Sequence, residues 1–216
     1  MNQLKLMLFA VLILSLNSGT LAQTVTIGTQ VWTTRNLDVT TFRNGDSIPQ
    51  AKTNEEWQLA CSENQPAWCY YDNDPANGAK YGILYNWYAI NDPRGLAPDG
   101  FHIPSDAEWT TLTTFLGGED FAGKTMKSKS GLDIFNDSKS SISENKSNKS
   151  VTLELRGACR FSDGNFSYLG DTGNWWSSTE LDSLTAFDRW LYYNLDNVTR
   201  NVNSKGVGCS VRCVKD

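Results

Sequence analysis

Histidine is almost missing from this chain: His102 stands alone among 216 residues. One imidazole leaves little room for a His-based catalytic triad, and no GxSxG nucleophile elbow is present. No CxxC spacing occurs, so cysteine and histidine offer no zinc site. No phosphate-cradling glycine loop, internal repeat or dense basic cluster appears. With 19 basic and 24 acidic residues the net charge is −5, which argues against nucleic acid and anionic membranes as partners. Long apolar runs are absent beyond the first 22 residues, so no later segment has the roughly 20 apolar residues a membrane helix needs.

The amino-terminal run is short. Lys5 precedes an apolar stretch at 6–16, and Thr20-Leu21-Ala22 places small residues at a cleavage site. This is the pattern of a signal peptide over residues 1–22, with no membrane span left after cleavage. No cysteine follows that would carry a lipid anchor. A single domain over 23–216 is expected, secreted, periplasmic or held at the cell surface, with a net charge of −6 once Lys5 is lost.

Cys61, Cys69, Cys159, Cys209 and Cys213 therefore meet an oxidising compartment and are disulfide candidates, with at least one left over. Cys209, Val211 and Cys213 alternate with Ser210, Arg212 and Val214, the period of a half-buried closing strand. Along such a strand the two cysteines lie about 13 Å apart, beyond the ~7 Å a bridge tolerates. Each must look elsewhere. A local Cys61–Cys69 bridge is one option, and Cys159 with Cys209 or Cys213 is another.

Along the chain, 24–39 reads as two short strands around Gly28, and 54–60 as helical turns capped by Asn54. Residues 66–81 read as loop, and 82–90 as a buried helix or strand. Ser105 and Glu108 form a capping box, followed by a stripe of Trp109, Leu112, Phe115 and Leu116 that Gly117-Gly118 ends. Residues 119–150, rich in Lys, Ser and Asn, read as a surface insertion with 145–150 flexible. From 151 the chain turns β, and 186–195, 198–203 and 208–215 read as a three-stranded meander.

Trp32, Asn36 and Leu37, YYDND (70–74), YGILYNWYA (81–89), GFHIPSDAEW (100–109), WWSST (175–179) and SVRCVKD (210–216) together resemble the Fibrobacter succinogenes major paralogous domain over about 25–216. That family is similar to the C-type-lectin and formylglycine-generating-enzyme superfamily. The resemblance implies an α+β fold: small antiparallel sheets, one or two helices and extensive ordered loops, in secreted or surface proteins of bacteria.

Eight tryptophans and eight tyrosines beside Asn and Asp suit a binding or adhesion module for an extracellular glycan or protein. The candidate contacts are Trp175, Asp188, Trp190, Tyr192, Asn194 and Asp196. Core packing is the competing use of the same rings. The EPN and WND tripeptides of calcium-dependent sugar binding are absent. Asp72, Asn73 and Asp74 are oxygen-bearing candidates for calcium, with an Asx turn as the alternative; no other cofactor is expected. Other readings are an enzyme, either a hydrolase or an oxidase resembling the formylglycine-generating enzyme, and a structural subunit of an extracellular assembly. The 209–213 spacing speaks against paired catalytic thiols, and non-enzymatic binding is the favoured expectation.

Overall fold

The computed structural model describes residues 24–127 and 158–216. The expected signal segment, the run 128–150 with the stretch 145–150 expected to be flexible, and residues 151–157 lie outside them. Two strands open the chain as expected: β1 (Thr24–Ile27) and β2 (Gln30–Thr33) pair antiparallel across a turn in which Gly28 has φ +60. α1 (Asn54–Ser62) follows, but its cap is Thr53, whose hydroxyl accepts from Glu56 N while Glu56 closes a capping box. Asn54, expected at the cap, is the first helical residue. The segment expected to be loop holds β3 (Trp68–Cys69), a 3-10 turn (Tyr71–Asn73) and α2 (Pro75–Tyr81), capped by Asp74. The ambiguous run 82–90 is both things in turn. It forms β4 (Leu84–Tyr85) and then α3 (Trp87–Ile90), with Asn86 capping the helix between them.

β5 (Phe101–His102) leads to α4 (Asp106–Phe115), where the Ser105–Glu108 capping box is present. Trp109 and Leu112 are fully buried, but Phe115 is 62% exposed. Its ring instead lies over Gly28, where a Cβ would sit 2.9 Å from Phe115 Cδ2. The expected surface insertion begins as a helix, α5 (Glu119–Lys127), which buries Ala122, Gly123 and Met126. Polar composition hid this, because only one face of a helix this short needs to be apolar.

The rest is β6 (Cys159–Arg160), β7 (Phe166–Ser167), β8 (Thr172–Glu180), β9 (Thr185–Tyr192), β10 (Thr199–Ser204) and β11 (Val214–Lys215). The meander exists, but its strands are β8, β9 and β10 in that spatial order. Residues 208–215 are not its third strand. β11 instead sits between β2 and β5 in a sheet ordered β1-β2-β11-β5. The fold is thus mixed α+β with small antiparallel sheets, and carries five α-helices among the described residues. None of these helices is long and apolar enough to cross a membrane.

The segment before β11 runs through the middle of the molecule. Gly208 exchanges two backbone hydrogen bonds with Arg160, and Cys209 exchanges two with Tyr85. Ser210 N donates to Asn174 O and Ser210 O accepts from Trp176 N. Val211 O accepts from Leu37 N, and Cys213 O from Thr33 N. All six residues 209–214 are buried. The sequence alternation is real, but both sides of the segment face protein, so it is not half-buried. Arg212 donates to Asn36 Oδ1 at 2.8 Å and to Thr33 O at 3.1 Å.

Arg160 is also fully buried. Its guanidinium donates to the carbonyls of Ala51, Thr53 and Gly164 and to the side-chain oxygens of Asn54 and Asn73. It lies over the rings of Trp57 and Phe166 at 4.8 and 4.6 Å. A planar five-donor fork satisfies all these acceptors; an ammonium has three donors and no plane to stack. Arg160→Lys is expected to cost about 3 kcal/mol by stranding buried oxygens. In urea unfolding this reads as a lower midpoint at unchanged slope.

Candidate functional site

The three-stranded sheet has two unlike faces, set by the period of two along its strands. One packs on α4. Trp175 points there, 1% exposed, its indole donating to Asn36 Oδ1 at 2.9 Å. Trp32, Trp109 and Trp175 stack in sequence, with centroids 4.7 and 6.4 Å apart. Trp175 is therefore core, and the expectation that it contacts a ligand is corrected. Asp106 ties this face down, accepting from Arg189 at 2.7 Å and from Arg200 at 2.9 Å.

The opposite face carries Thr172, Asn174 and Trp176 from β8 and Asp188, Trp190 and Tyr192 from β9, paired in register. Asn201 stands opposite Asp188, and Asn203 follows two residues on along β10. Three of the expected contacts, Asp188, Trp190 and Tyr192, thus share one face. Asn194 and Asp196 do not join them. They are exposed in the connection 193–198, which is longer than the expected two-residue turn at 196–197. α5 pulls that connection away from the sheet. Lys127 Nζ donates to the carbonyls of Tyr192, Tyr193 and Leu195, and Lys124 N donates to Asp196 O. Gly123 allows the approach, since a Cβ there would stand 2.3 Å from Asn197 O.

Asp188 is fully buried. Its Oδ2 accepts from Trp190 Nε1 and from Asn203 Nδ2 at 2.7 Å, while Oδ1 has no partner. Both amide atoms of Asn174 and the hydroxyl of Thr172 are likewise buried without partners. Each such atom costs on the order of 1–3 kcal/mol. Burial raises the Asp188 carboxyl to about 6, against the hydrogen bonds from Trp190 and Asn203 and the charge of Arg189, which lower it.

Tyr168 packs against one member of this row, Trp190. Its ring meets Trp190 edge-on at 5.4 Å and Phe161 at 6.1 Å, and Trp190 lies 5.7 Å from Tyr192. Tyr168 has φ +67 and is 40% exposed. A left-handed backbone at a bulky residue stores strain. Asn174 was legible in principle, because period two along TGNWW groups it with Trp176 and sets Trp175 on the other side. Tyr168 was not, since nothing in SYLG signals positive φ.

Away from this face lies an open cleft of about 350 Å³ lined by Arg43, Leu96, His102, Ser105, Glu108 and Ser178, among others. His102 faces two carboxylates, with Nδ1 2.8 Å from Asp216 Oδ1 and Nε2 2.7 Å from Glu108 Oε1. Ser105 Oγ donates to Glu108 Oε2, not to the imidazole, so no hydroxyl–histidine relay is assembled. Burial disfavours the imidazolium, but the two hydrogen-bonded carboxylates outweigh it and raise its pKa.

Of the calcium candidates, Asn73 Oδ1 accepts from Arg160 and Asp74 caps α2 through Ala76 N. Asp72 and Asn73 both have left-handed φ, as the Asx-turn alternative leads one to expect. No group of three or more His, Cys, Asp or Glu side chains suited to a metal occurs among the described residues. All five cysteines are free thiols, so the expected bridges are not formed in this structure. Burial raises Cys61 to about 11 and Cys69, Cys159 and Cys213 to about 12.

Two pH measurements test these assignments. Asp188 has a folded pKa above the ~3.9 of an unfolded aspartate. Its contribution to stability is full below about pH 4 and is lost as the pH rises through about 6. The urea midpoint of the wild type should fall relative to Asp188→Asn across that window, and the gap should hold steady above it. The single histidine should titrate above about 6.5 by NMR and move back toward that value in Glu108→Gln.

No curated protein and no solved structure matches the chain significantly. The family model of the Fibrobacter succinogenes major domain does, across residues 25–215. That span runs from β1 to β11 and takes in the central segment 208–214 and the aromatic face alike, and the chain belongs to the Fibrobacter succinogenes major domain family.

Proposed function

We propose that this protein is an exported, non-enzymatic binding module with a C-type-lectin-like fold, and that it holds an extracellular glycan on the Asp188–Trp190 face. The observation that carries the reading is the row Thr172, Asn174 and Asp188. These side chains bring buried hydrogen-bonding atoms without partners to one sheet face, alongside the Tyr168, Trp190 and Tyr192 rings, which meet edge-on or tilted. Sugar hydroxyls donate and accept, so they match a carboxylate, an amide and a hydroxyl, while flat rings suit the apolar faces of a pyranose. Tyr168 is the ring against Trp190 that is carried on a strained loop position. Its displacement opens the row at Trp190 and relieves that strain.

The non-enzymatic part has its own support. A nucleophilic cysteine needs a lowered pKa, whereas burial pushes these thiols up. The sole histidine has a carboxylate on each ring nitrogen, which leaves neither free to accept a proton from a substrate. The amino-terminal leader pattern supports export. The binding row includes no residue of the Asp72–Asp74 turn, so the reading requires no calcium.

A glycan array probed with and without chelator tests the proposal. Hits should persist in chelator. Trp190→Phe keeps an aromatic ring but removes the N–H on Asp188, and should weaken binding about tenfold, the scale of one hydrogen bond to a charged group. Tyr168→Gly should retain or improve binding if the ring is a displaceable cover. An array that stays silent while the protein binds a partner protein through this face would replace the glycan with a protein ligand. Full binding in Trp190→Phe and in Asp188→Asn would place the site elsewhere.

A further inference from the structure

We infer that Cys159 and Cys209 are a disulfide-forming pair, and that Cys213 stays a thiol. The strand register carries this. Arg160 N donates to Gly208 O at 3.0 Å and Gly208 N to Arg160 O at 2.7 Å, so these two residues form a hydrogen-bonded antiparallel pair. One step along each chain places Cys159 directly opposite Cys209 at a non-hydrogen-bonded position. There the Cα atoms of an antiparallel ladder stand about 4.5 Å apart with both side chains on the same face. A disulfide spans 4.4–6.8 Å between Cα atoms.

The side-chain directions agree. A Cβ on Gly208 would meet Arg160 Cβ at 3.3 Å, so that pair shares the face that holds Trp57. Cys159 and Cys209 lie on the other face, together in the cluster of Trp176, Ala186 and Val207, and both fully buried. The remaining cysteines are placed differently. Cys61 Sγ donates to Gly206 O at 3.1 Å. Cys69 lies in the separate cluster with Trp57 and Tyr71, against which Cys61 also packs, apart from Cys159 and Cys209. Cys213 belongs to the same cluster as Cys159 and Cys209, but it lies four residues beyond Cys209, off the Arg160–Gly208 ladder, with its backbone hydrogen-bonded to Thr33.

The chemistry needs a two-electron oxidant, and a disulfide donor such as oxidised glutathione suffices. One thiol loses its proton and attacks the donor, releasing one donor thiol. The second protein thiolate then displaces the other donor half. Two S–H bonds and one donor S–S bond are broken, the protein S–S bond forms, and the donor leaves as two thiols. Burial raises both protein thiols far above neutrality. Exchange therefore belongs to the folding chain, and the folded dithiol resists oxidation. In the cell the bond rests on the export part of the reading above; in vitro it is independent of export and of any ligand. Once formed, it ties the β6–β7 hairpin, which leads into Tyr168, to the central segment.

The full chain is unfolded, refolded in a glutathione redox buffer, blocked with iodoacetamide and digested with trypsin. Cleavage after Arg156, Arg160, Lys205, Arg212 and Lys215 isolates Cys159 in 157–160, Cys209 in 206–212 and Cys213 in 213–215. The expected product is 157–160 linked to 206–212, with 213–215 fully alkylated. Reduction should lower the urea midpoint of the wild type and leave that of Cys159→Ala/Cys209→Ala unmoved. Recovery of 157–160 and 206–212 both alkylated, or a link from either to 213–215, overturns the inference.

Discussion

The molecule depends on one segment, 208–214, being hydrogen-bonded on both sides along its whole length. Gly208 and Cys209 join the β6–β7 ladder to β4, so two isolated two-stranded ladders become one surface. Ser210 then runs beside β8, and Val211, Cys213 and Val214 lie against the chain from Thr33 to Leu37 and against β5. Few sheets this small are stable alone. These share a strand and thereby a core. The cost is that polar residues of the segment are buried too, and Asn36 answers it: its amide donates to Ser210 Oγ and its oxygen accepts from Arg212 and Trp175.

Around that axis the cations serve structure. Arg160 gathers carbonyls from two loops, Lys127 gathers those of the 192–195 turn, and Arg189 with Arg200 holds Asp106 at the start of α4. A buried cation satisfied by carbonyls fixes irregular chain where no ladder exists to satisfy the backbone. This is how a protein with short strands keeps long connections ordered. Apart from Arg189 Nε and Thr185 Oγ1, the buried side-chain atoms without partners among the described residues gather on the Asp188 face, in Thr172, Asn174 and Asp188.

Much of this was legible in the sequence. The hairpin at Gly28, the Ser105 capping box and the β character of the carboxy-terminal third all stand where local pattern puts them. These signals are local, carried by turn chemistry, capping and period two. The failures are also local readings. Thr53 outcompeted Asn54 for the cap because Glu56, three residues beyond Thr53, completes a capping box. α5 was obscured because Lys and Glu dominate its solvent side. The ligand candidates divide the same way. Asp188, Trp190 and Tyr192 share parity on one strand and share a face, whereas Trp175 was grouped with them by ring type and parity sends it to the core.

The sequence by itself determined the family, the α+β class and the argument that Cys209 cannot bridge to Cys213, because motifs in order and residue spacing are properties of the chain. Only the tertiary structure decided which strands the ending joins. A period-two pattern states that successive side chains part, not what lies on either side. Both sides of 208–214 turned out to be protein, since the segment is inserted between elements laid down more than a hundred residues earlier and a sheet that precedes it by thirty. The same insertion sets Cys159 opposite Cys209, neighbours that no local pattern connects.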